Sequence, residues 1–275
     1  MSNRRIFKMA KAYPFKVDDR EFHGKRVLVT GGTKGLGASM AQRFLLGGAK
    51  VAVTARSPSA NDQGSVLFIA ADISSAAGTQ AVADRIQQEW GGVDILVDNV
   101  GGSDGFGGGF DTLTDDFWQK ILDLNLMSAL RLDRAFVPGM QARGFGIVIH
   151  IGTMWHRLPQ TDAAMAYSAA KAALFSYSKS LAKAVGPQGV RVNMISPGFI
   201  ETEAAHAVFE QISKANGISE DAARQSIIDR SGGIPVGRPG RPEEIAEVAA
   251  LLASDRGGFI SGVDYIVDGG ALPAL

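Results

Sequence analysis

Two patterns alternate along this chain, and that alternation constrains the fold more than any other feature. Short runs rich in β-branched residues recur at Arg26–Thr30, Lys50–Thr54, Val66–Ala70, Asp94–Val97, Gly146–Ile151, Val190–Ile195 and Val263–Val267. Between them lie segments of helical length and periodicity: Gly35–Leu46, Gly78–Trp90, Thr114–Ala142, Ala163–Val185 and Pro242–Ala253. Strand runs without polar alternation are buried on both faces, and helical crossovers between them make a parallel sheet. The pattern predicts an α/β fold: a single doubly wound, Rossmann-like parallel sheet of about seven strands with helices on both faces. No repeat or long linker divides the body, which is expected over residues 22–270 as one domain. An extra helical excursion at about residues 203–233 reads as a small lid.

Composition narrows the function classes. Lys+Arg and Asp+Glu both number 28, so the basic excess of a nucleic-acid binder is absent. There is no cysteine, which excludes disulfides and thiolate chemistry, and the 4 histidines form no His-x-x-x-His pair. No run approaches the ~18 apolar residues of a membrane span. Residues 1–21 carry Arg4, Arg5, Lys8, Lys11 and Lys16, with no acid before Asp18. They read as a mobile basic arm, and residues 271–275 as a tail. The segment lacks the apolar stretch of a signal peptide, so a cytoplasmic location is the expectation.

The 34 glycines in 275 residues exceed the usual usage of about 7%. Their placement matters more than their number. Strand one runs into Thr30-Gly31-Gly32-Thr33-Lys34-Gly35-Leu36-Gly37, and a helix follows. A tight turn, a close approach to pyrophosphate and close helix packing each call for glycine there, and the helix start offers free N–H groups to phosphate. Strand two ends in Ala55-Arg56-Ser57, and the first acid after it is Asp62. An acid at that strand end would hold a ribose 2′-hydroxyl, whereas Arg56, with Lys34 in the turn, suits a 2′-phosphate. The reading is NADP(H), with NAD(H) as the alternative.

Tyr167 and Lys171 stand four residues apart in a helical segment and share a face. A cation one turn from a phenol favours its ionised form. Strand five ends at Ile151 and is followed by Gly152-Thr153, which places a hydroxyl at the sheet edge where ligands of such folds bind. The glycine-rich stretch Gly101–Gly109 is either a clamp or a spacer beside that crevice. Trp155, His156 and Arg157 follow Thr153 and could face the pocket, whereas His150 reads as a packed strand residue. Phe209, Ile212, Ile218, Ile227 and Ile228 give the lid apolar spots for closure over substrate or for packing on its own domain.

Together these pieces resemble the short-chain dehydrogenase/reductase family over roughly residues 22–270. The resemblance rests on Thr30–Gly37, Asp72-Ile73, Asp98-Asn99-Val100-Gly101, Asn125, Tyr167 with Lys171, Pro197–Thr202 and Asp268-Gly269-Gly270. It implies a hydride transfer between a nicotinamide and a small-molecule carbonyl or secondary alcohol. Tyr167 would be the proton donor or base. Lys171 would lower the Tyr167 pKa and hold the nicotinamide ribose, and Asn125 would position a water linked to Lys171. Thr153, where the family usually has serine, would orient the substrate oxygen. For the cofactor, the resemblance points to Gly31, Thr33, Lys34, Gly35, Leu36 and Gly37 at the phosphates and Arg56 at the 2′-phosphate. It places Asp72 and Ile73 at the adenine, Asn99 and Gly101 at the ribose, and Pro197, Ile200 and Thr202 at the carboxamide. The segments Thr114–Ala142 and Ala163–Val185 resemble the family's subunit contacts, implying a homotetramer or homodimer. Three positions depart from the pattern: Asp98 and Val100 replace the asparagine and alanine of Asn-Asn-Ala-Gly, and Thr153 is branched. Slower or narrower chemistry is the expectation, with a cofactor-binding sensor as a further alternative.

Overall fold

The structure is a computed structural model and describes residues 13–57, 65–103, 109–159, 161, 164–230 and 232–273. Among these residues seven strands form one parallel sheet: β1 (Arg26–Thr30), β2 (Lys50–Ala55), β3 (Leu67–Ala70), β4 (Ile95–Asp98), β5 (Gly146–Ile151), β6 (Val190–Pro197) and β7 (Asp264–Val267). The order is β3-β2-β1-β4-β5-β6-β7, so the winding reverses between β1 and β4. That reversal opens a crevice at the carboxyl ends of the two strands.

Helices cover both faces, as the uninterrupted apolar runs require. Val27 and Val29 of β1 face α1 (Gly35–Leu46) and α8 (Pro242–Ala253), packing with Met40, Phe44, Ile245 and Ala249. Leu28, between them, faces the opposite layer, with Val82 and Ile86 of α2 (Ala76–Trp90) and Leu132 of α4 (Ser128–Arg143). Each fully buried aliphatic side chain of this kind contributes about 1.5–3 kcal/mol. α5 (Ala164–Val185) closes the same layer through Ala182 and Val185. No helix among the described residues is long and apolar enough to cross a membrane.

Three expectations change in detail. The segment Thr114–Ala142 is not one regular helix: α3 (Asp115–Leu122) passes through a π-helical turn, Asp123–Met127, into α4. A π turn inserts one residue into the ladder and redirects the side chains it carries. The excursion after β6 is two helices, α6 (Glu203–Asn216) and α7 (Glu220–Arg230). Finally, the described part of the expected mobile arm is docked. Tyr13 donates to Glu247 at 2.8 Å, and the buried Arg43 pairs with Glu21 at 2.5 Å and Glu247 at 2.7 Å. Phe22 packs edge-on against Phe44. Arg4, Arg5, Lys8 and Lys11 lie outside the described residues, as do Asp62, the centre of the Gly101–Gly109 stretch (104–108) and the last two residues of the tail.

Candidate active site

The glycine turn is shaped by close approach. Gly31 has φ +62°, a conformation L side chains avoid, and an added Cβ would also meet Val100 at 3.0 Å. A Cβ on Gly37 would sit 2.2 Å from the Gly31 carbonyl oxygen, so only glycine lets α1 start this near the turn. Lys34 caps α1 without a side-chain hydrogen bond, leaving the first-turn N–H groups for a ligand. Thr33 and Leu36 lie half-buried in the same turn, and Gly35 faces Thr202, where a Cβ would meet its methyl at 3.6 Å. This turn fits a dinucleotide phosphate.

Around it the other expected cofactor residues converge. Arg56 follows the last residue of β2; it and Lys34 are exposed, and neither pairs with an acid among the described residues. Asp72 and Ile73 follow β3, where the Asp72 carboxylate is engaged with the Ser74 hydroxyl at 2.8 Å. Asn99 ties β4 to β1, its side-chain N–H donating to the Thr30 carbonyl at 2.8 Å. The Thr30 hydroxyl is the hub of this seam, accepting from Asn99 N–H at 2.8 Å and Val100 N–H at 3.0 Å. Pro197 ends β6, Ile200 is buried just beyond it, and Thr202 caps α6 by accepting from Ala205 N–H at 3.2 Å.

The side chains expected to be catalytic come from three elements. Asn125 sits in the π turn, which aims it across at the loop after β4. Its amide donates to Gly102 and Ile121 carbonyls at 2.9 and 3.0 Å, and its oxygen accepts from Gly102 N–H at 2.9 Å. A Cβ on Gly101 would lie 2.8 Å from the Asn125 oxygen and 2.9 Å from Lys171 Nζ, so those two groups flank one narrow space. Lys171, 1% exposed, donates to the Ile151 carbonyl at 2.7 Å. Thr153 caps the turn Met154–His156 and hydrogen-bonds to Tyr167.

Burial dominates the electrostatics of these groups. Burial pushes the Tyr167 phenol up to about 12, and the Thr153 hydroxyl opposes this without overcoming it. Lys171 Nζ lies 6.0 Å from the Tyr167 ring centre, and its ammonium is turned to Ile151. Burial brings Lys171 down to about 8, while Asp98 pulls it up. Burial is thus the largest influence on this phenol, and the Lys171 ammonium is spent on the Ile151 carbonyl.

The neighbouring residues sort differently from expectation. Arg157 and His156 turn to Asp264 of β7, at 3.1 and 3.3 Å, instead of into the pocket. Asp264 also accepts from Ser196 at 2.6 Å, and His156 Nδ1 reaches the Thr153 carbonyl at 2.6 Å. Although burial opposes ionisation, these donors hold the Asp264 carboxyl below its usual range. Sequence reasoning missed this brace, since β7 lies far away in the chain. Trp155 does stay near, edge-on to Tyr167 at 6.1 Å. On the lid, Phe209 is buried against Phe199, and Ile228 packs on the Met154–Ile234–Ala271 cluster, so these two residues pack on their own domain.

Known proteins resemble this chain over most of its length. A family model described as enoyl-(acyl carrier protein) reductase matches residues 31–271. The 3-oxoacyl-(acyl-carrier-protein) reductase FabG of Escherichia coli (strain K12) is 35% identical over 260 residues, 90% of this chain and 98% of that protein. An acetoacetyl-CoA reductase of Shinella zoogloeoides is 33% identical over 252 residues, 88% of this chain and 96% of that protein. Among solved structures, L-sorbose reductase from Gluconobacter frateurii, complexed with NADPH and L-sorbose, superposes with a TM-score of 0.85 at 33% identity, covering 94% of this chain and all of that one.

Proposed function

The chain belongs to the short-chain dehydrogenase/reductase family, and we propose on that premise that it is an NADP(H)-dependent oxidoreductase acting on a carbonyl or secondary alcohol. One observation carries the reading: the Tyr167 phenol, bonded to Thr153 and one helical turn from Lys171, stands at the carboxyl edge of the sheet beside an uncapped glycine turn. The nicotinamide, when bound, supplies or accepts the hydride.

The chain's own residues do the rest. Thr153 Oγ holds the substrate oxygen. As that oxygen gains charge, the Tyr167 hydroxyl gives it a proton, leaving a phenolate that Lys171 stabilises and that recovers its proton from solvent. A phenol held near 12 stays protonated at neutral pH, which supports proton donation to a carbonyl. Lys171 and Asn125 flank the narrow space at Gly101 and are assigned to the ribose and a linking water. Lys34, Thr33 and Arg56 are assigned to the 2′-phosphate side, with Gly31, Gly35, Leu36 and Gly37 at the phosphates. Asp72 and Ile73 are assigned to the adenine, Asn99 and Gly101 to the ribose, and Pro197, Ile200 and Thr202 to the carboxamide. Because Asp264 occupies Arg157, no free cation from that residue greets an acidic substrate. Trp155 and Phe199 supply a mixed apolar wall instead. The α3–α5 faces are assigned to a homodimer or homotetramer, and the location to the cytoplasm.

Oxidation of NADPH should be followed by absorbance against acetoacetyl thioesters, ketoses and apolar ketones, with NADH in parallel. Turnover of at least one class, with NADPH preferred, is the expected result. NADPH binding without turnover of any class would instead make the chain a sensor.

A further inference from the structure

Asp98 departs from the asparagine of the resembled motif, and the proposed reaction gives it no part. The alternation of the sheet decides which way it faces. Leu96 of β4 and Val148 of β5 belong to the layer of α2 and α4, so Asp98 and His150, two residues further on, face that layer too. They are register partners across the β4–β5 ladder. Asp133 of α4 reaches them from above. Asp98, Asp133 and His150 are 4%, 1% and 0% exposed. His150 Nε2 lies 3.0 Å from Asp133 Oδ2 and 3.8 Å from Asp98 Oδ2. One ligand atom from each of the three residues lies within 4.8 Å of the other two.

The group is short of donors. Among the described residues neither Asp98 oxygen has a hydrogen-bond partner, nor has Asp133 Oδ1 or His150 Nδ1. At 3.8 Å, His150 is too far away to hydrogen-bond Asp98. The Lys171 ammonium donates to the Ile151 carbonyl instead. Tyr177 of α5 hydrogen-bonds Asp133, which serves one carboxylate and not the other. Buried polar atoms are nearly always paired, and a sealed carboxylate without donors is costly. A divalent cation between two carboxylates and a neutral imidazole makes a group of zero net charge, and buried charges persist where they are paired or bind metal. The spacings suit such an ion. Ligand atoms about 2.1 Å from zinc stand about 3.4 Å apart at the corners of a tetrahedron, and the two His150 distances bracket that edge.

We infer that Asp98, Asp133 and His150 are the ligands of a structural site for a divalent transition-metal cation, which pins β4, β5 and α4 together. Carboxylate oxygens with one imidazole nitrogen, His150 Nε2, form a donor set that suits zinc or manganese. Tyr177 orients Asp133 from behind, as the outer partners of metal ligands do. The site is sealed, so the ion enters as the chain folds. An asparagine at position 98 would offer only a neutral oxygen, so the carboxylate there has a use. The next residues in sequence line the crevice: Asn99 ties β4 to β1, and the Ile151 carbonyl holds Lys171. The ion thereby steadies the crevice floor without touching the reacting atoms. No spacing along the chain marks the site, because its ligands come from three elements.

The test is metal content. Untagged full chain is produced in medium supplemented with zinc and manganese, dialysed against metal-free buffer and analysed by elemental mass spectrometry, beside Asp98→Asn and His206→Ala. Asp98→Asn keeps the side chain's shape and removes its charge. His206 is an exposed histidine 3.7 Å from Glu201, where a surface ion would collect. About one ion per chain is expected in the wild type and in His206→Ala, with content at least tenfold lower in Asp98→Asn. Wild type refolded with zinc or manganese should melt higher than wild type refolded with chelator, and Asp98→Asn should show no such gap. If Asp98→Asn does not fold, the wild-type content, its retention in His206→Ala and the refolding gap decide. A wild type free of metal, metal retained by Asp98→Asn, or metal lost from His206→Ala would each overturn the inference. Neither readout needs turnover, so failure of the proposed function leaves the result standing.

Discussion

The two sides of the crevice are made of different material. From β1 to β3, what a ligand would meet is largely main chain: a turn with φ +62° at Gly31, an uncapped helix start, and strand ends. From β4 to β6, it is side chain: Asn125 from a π turn, Thr153 from a strand end, and Tyr167 with Lys171 from α5. A main-chain cradle binds by shape and needs few particular residues beyond glycine. A side-chain cluster must bring groups from separate elements into one register, and burial then sets their protonation. On the proposed function, binding would fall to the first side and the chemical step to the second.

That division can be broken most directly at Tyr167. Tyr167→Phe removes only the phenol oxygen, so kcat should fall by about 10²–10⁴ while NADPH affinity by fluorescence stays near wild type. A parallel loss of affinity would erase the division. On the opposite side, Arg56→Ala should raise the KM for NADPH by roughly 10–100-fold, the worth of one charged hydrogen bond, and leave kcat and the KM for NADH nearly unchanged. Steady-state kinetics with both cofactors reads this, and an effect on kcat would shift Arg56 to the chemical side.

Two buried carboxylates within the chemical side sharpen the contrast. Among the described residues Asp98 has no hydrogen-bond donor and burial pushes its carboxyl well up, while Asp264 has Ser196, His156 and Arg157, which hold its carboxyl below the usual range. Burial penalises both, so the partners decide the sign. A carboxyl depressed in the folded state adds stability above its unfolded pKa and loses it as pH falls through the folded value. Asp264→Asn should therefore lower the melting temperature by a few degrees at pH 7, for a loss of about 1–2 kcal/mol. The gap to wild type should close below about pH 3–4, the range of an ordinary carboxyl. A gap that persists in acid would mean that Asp264 acts through packing.

The same contrast explains what could be read from residues alone. The wound sheet was legible because Val27, Leu28 and Val29 have no polar alternation and so need cover on both faces. The glycine turn was legible because glycine is itself the functional feature at Gly31 and Gly37. Tyr167 and Lys171 were legible because helical spacing is local. The opposition of Asp98 to His150 was not, since it depends on which strands pair and in which register. Nor was the π turn at Asp123–Met127, whose residues carry no local signal distinct from an ordinary helix. Asp264 escapes a reading of residues for the same reason of distance, and with it the partner that holds His156 and Arg157.

Strand β7 is an edge strand, paired with β6, and it carries the carboxylate that steadies the loop bearing Thr153. During synthesis the glycine turn and its flanking strands emerge long before Asp264 does. Helix α8, which covers the β1 and α1 side of the core, and β7, which braces the Thr153 loop, are both among the last elements made, so neither side of the crevice is fully packed until synthesis is nearly over.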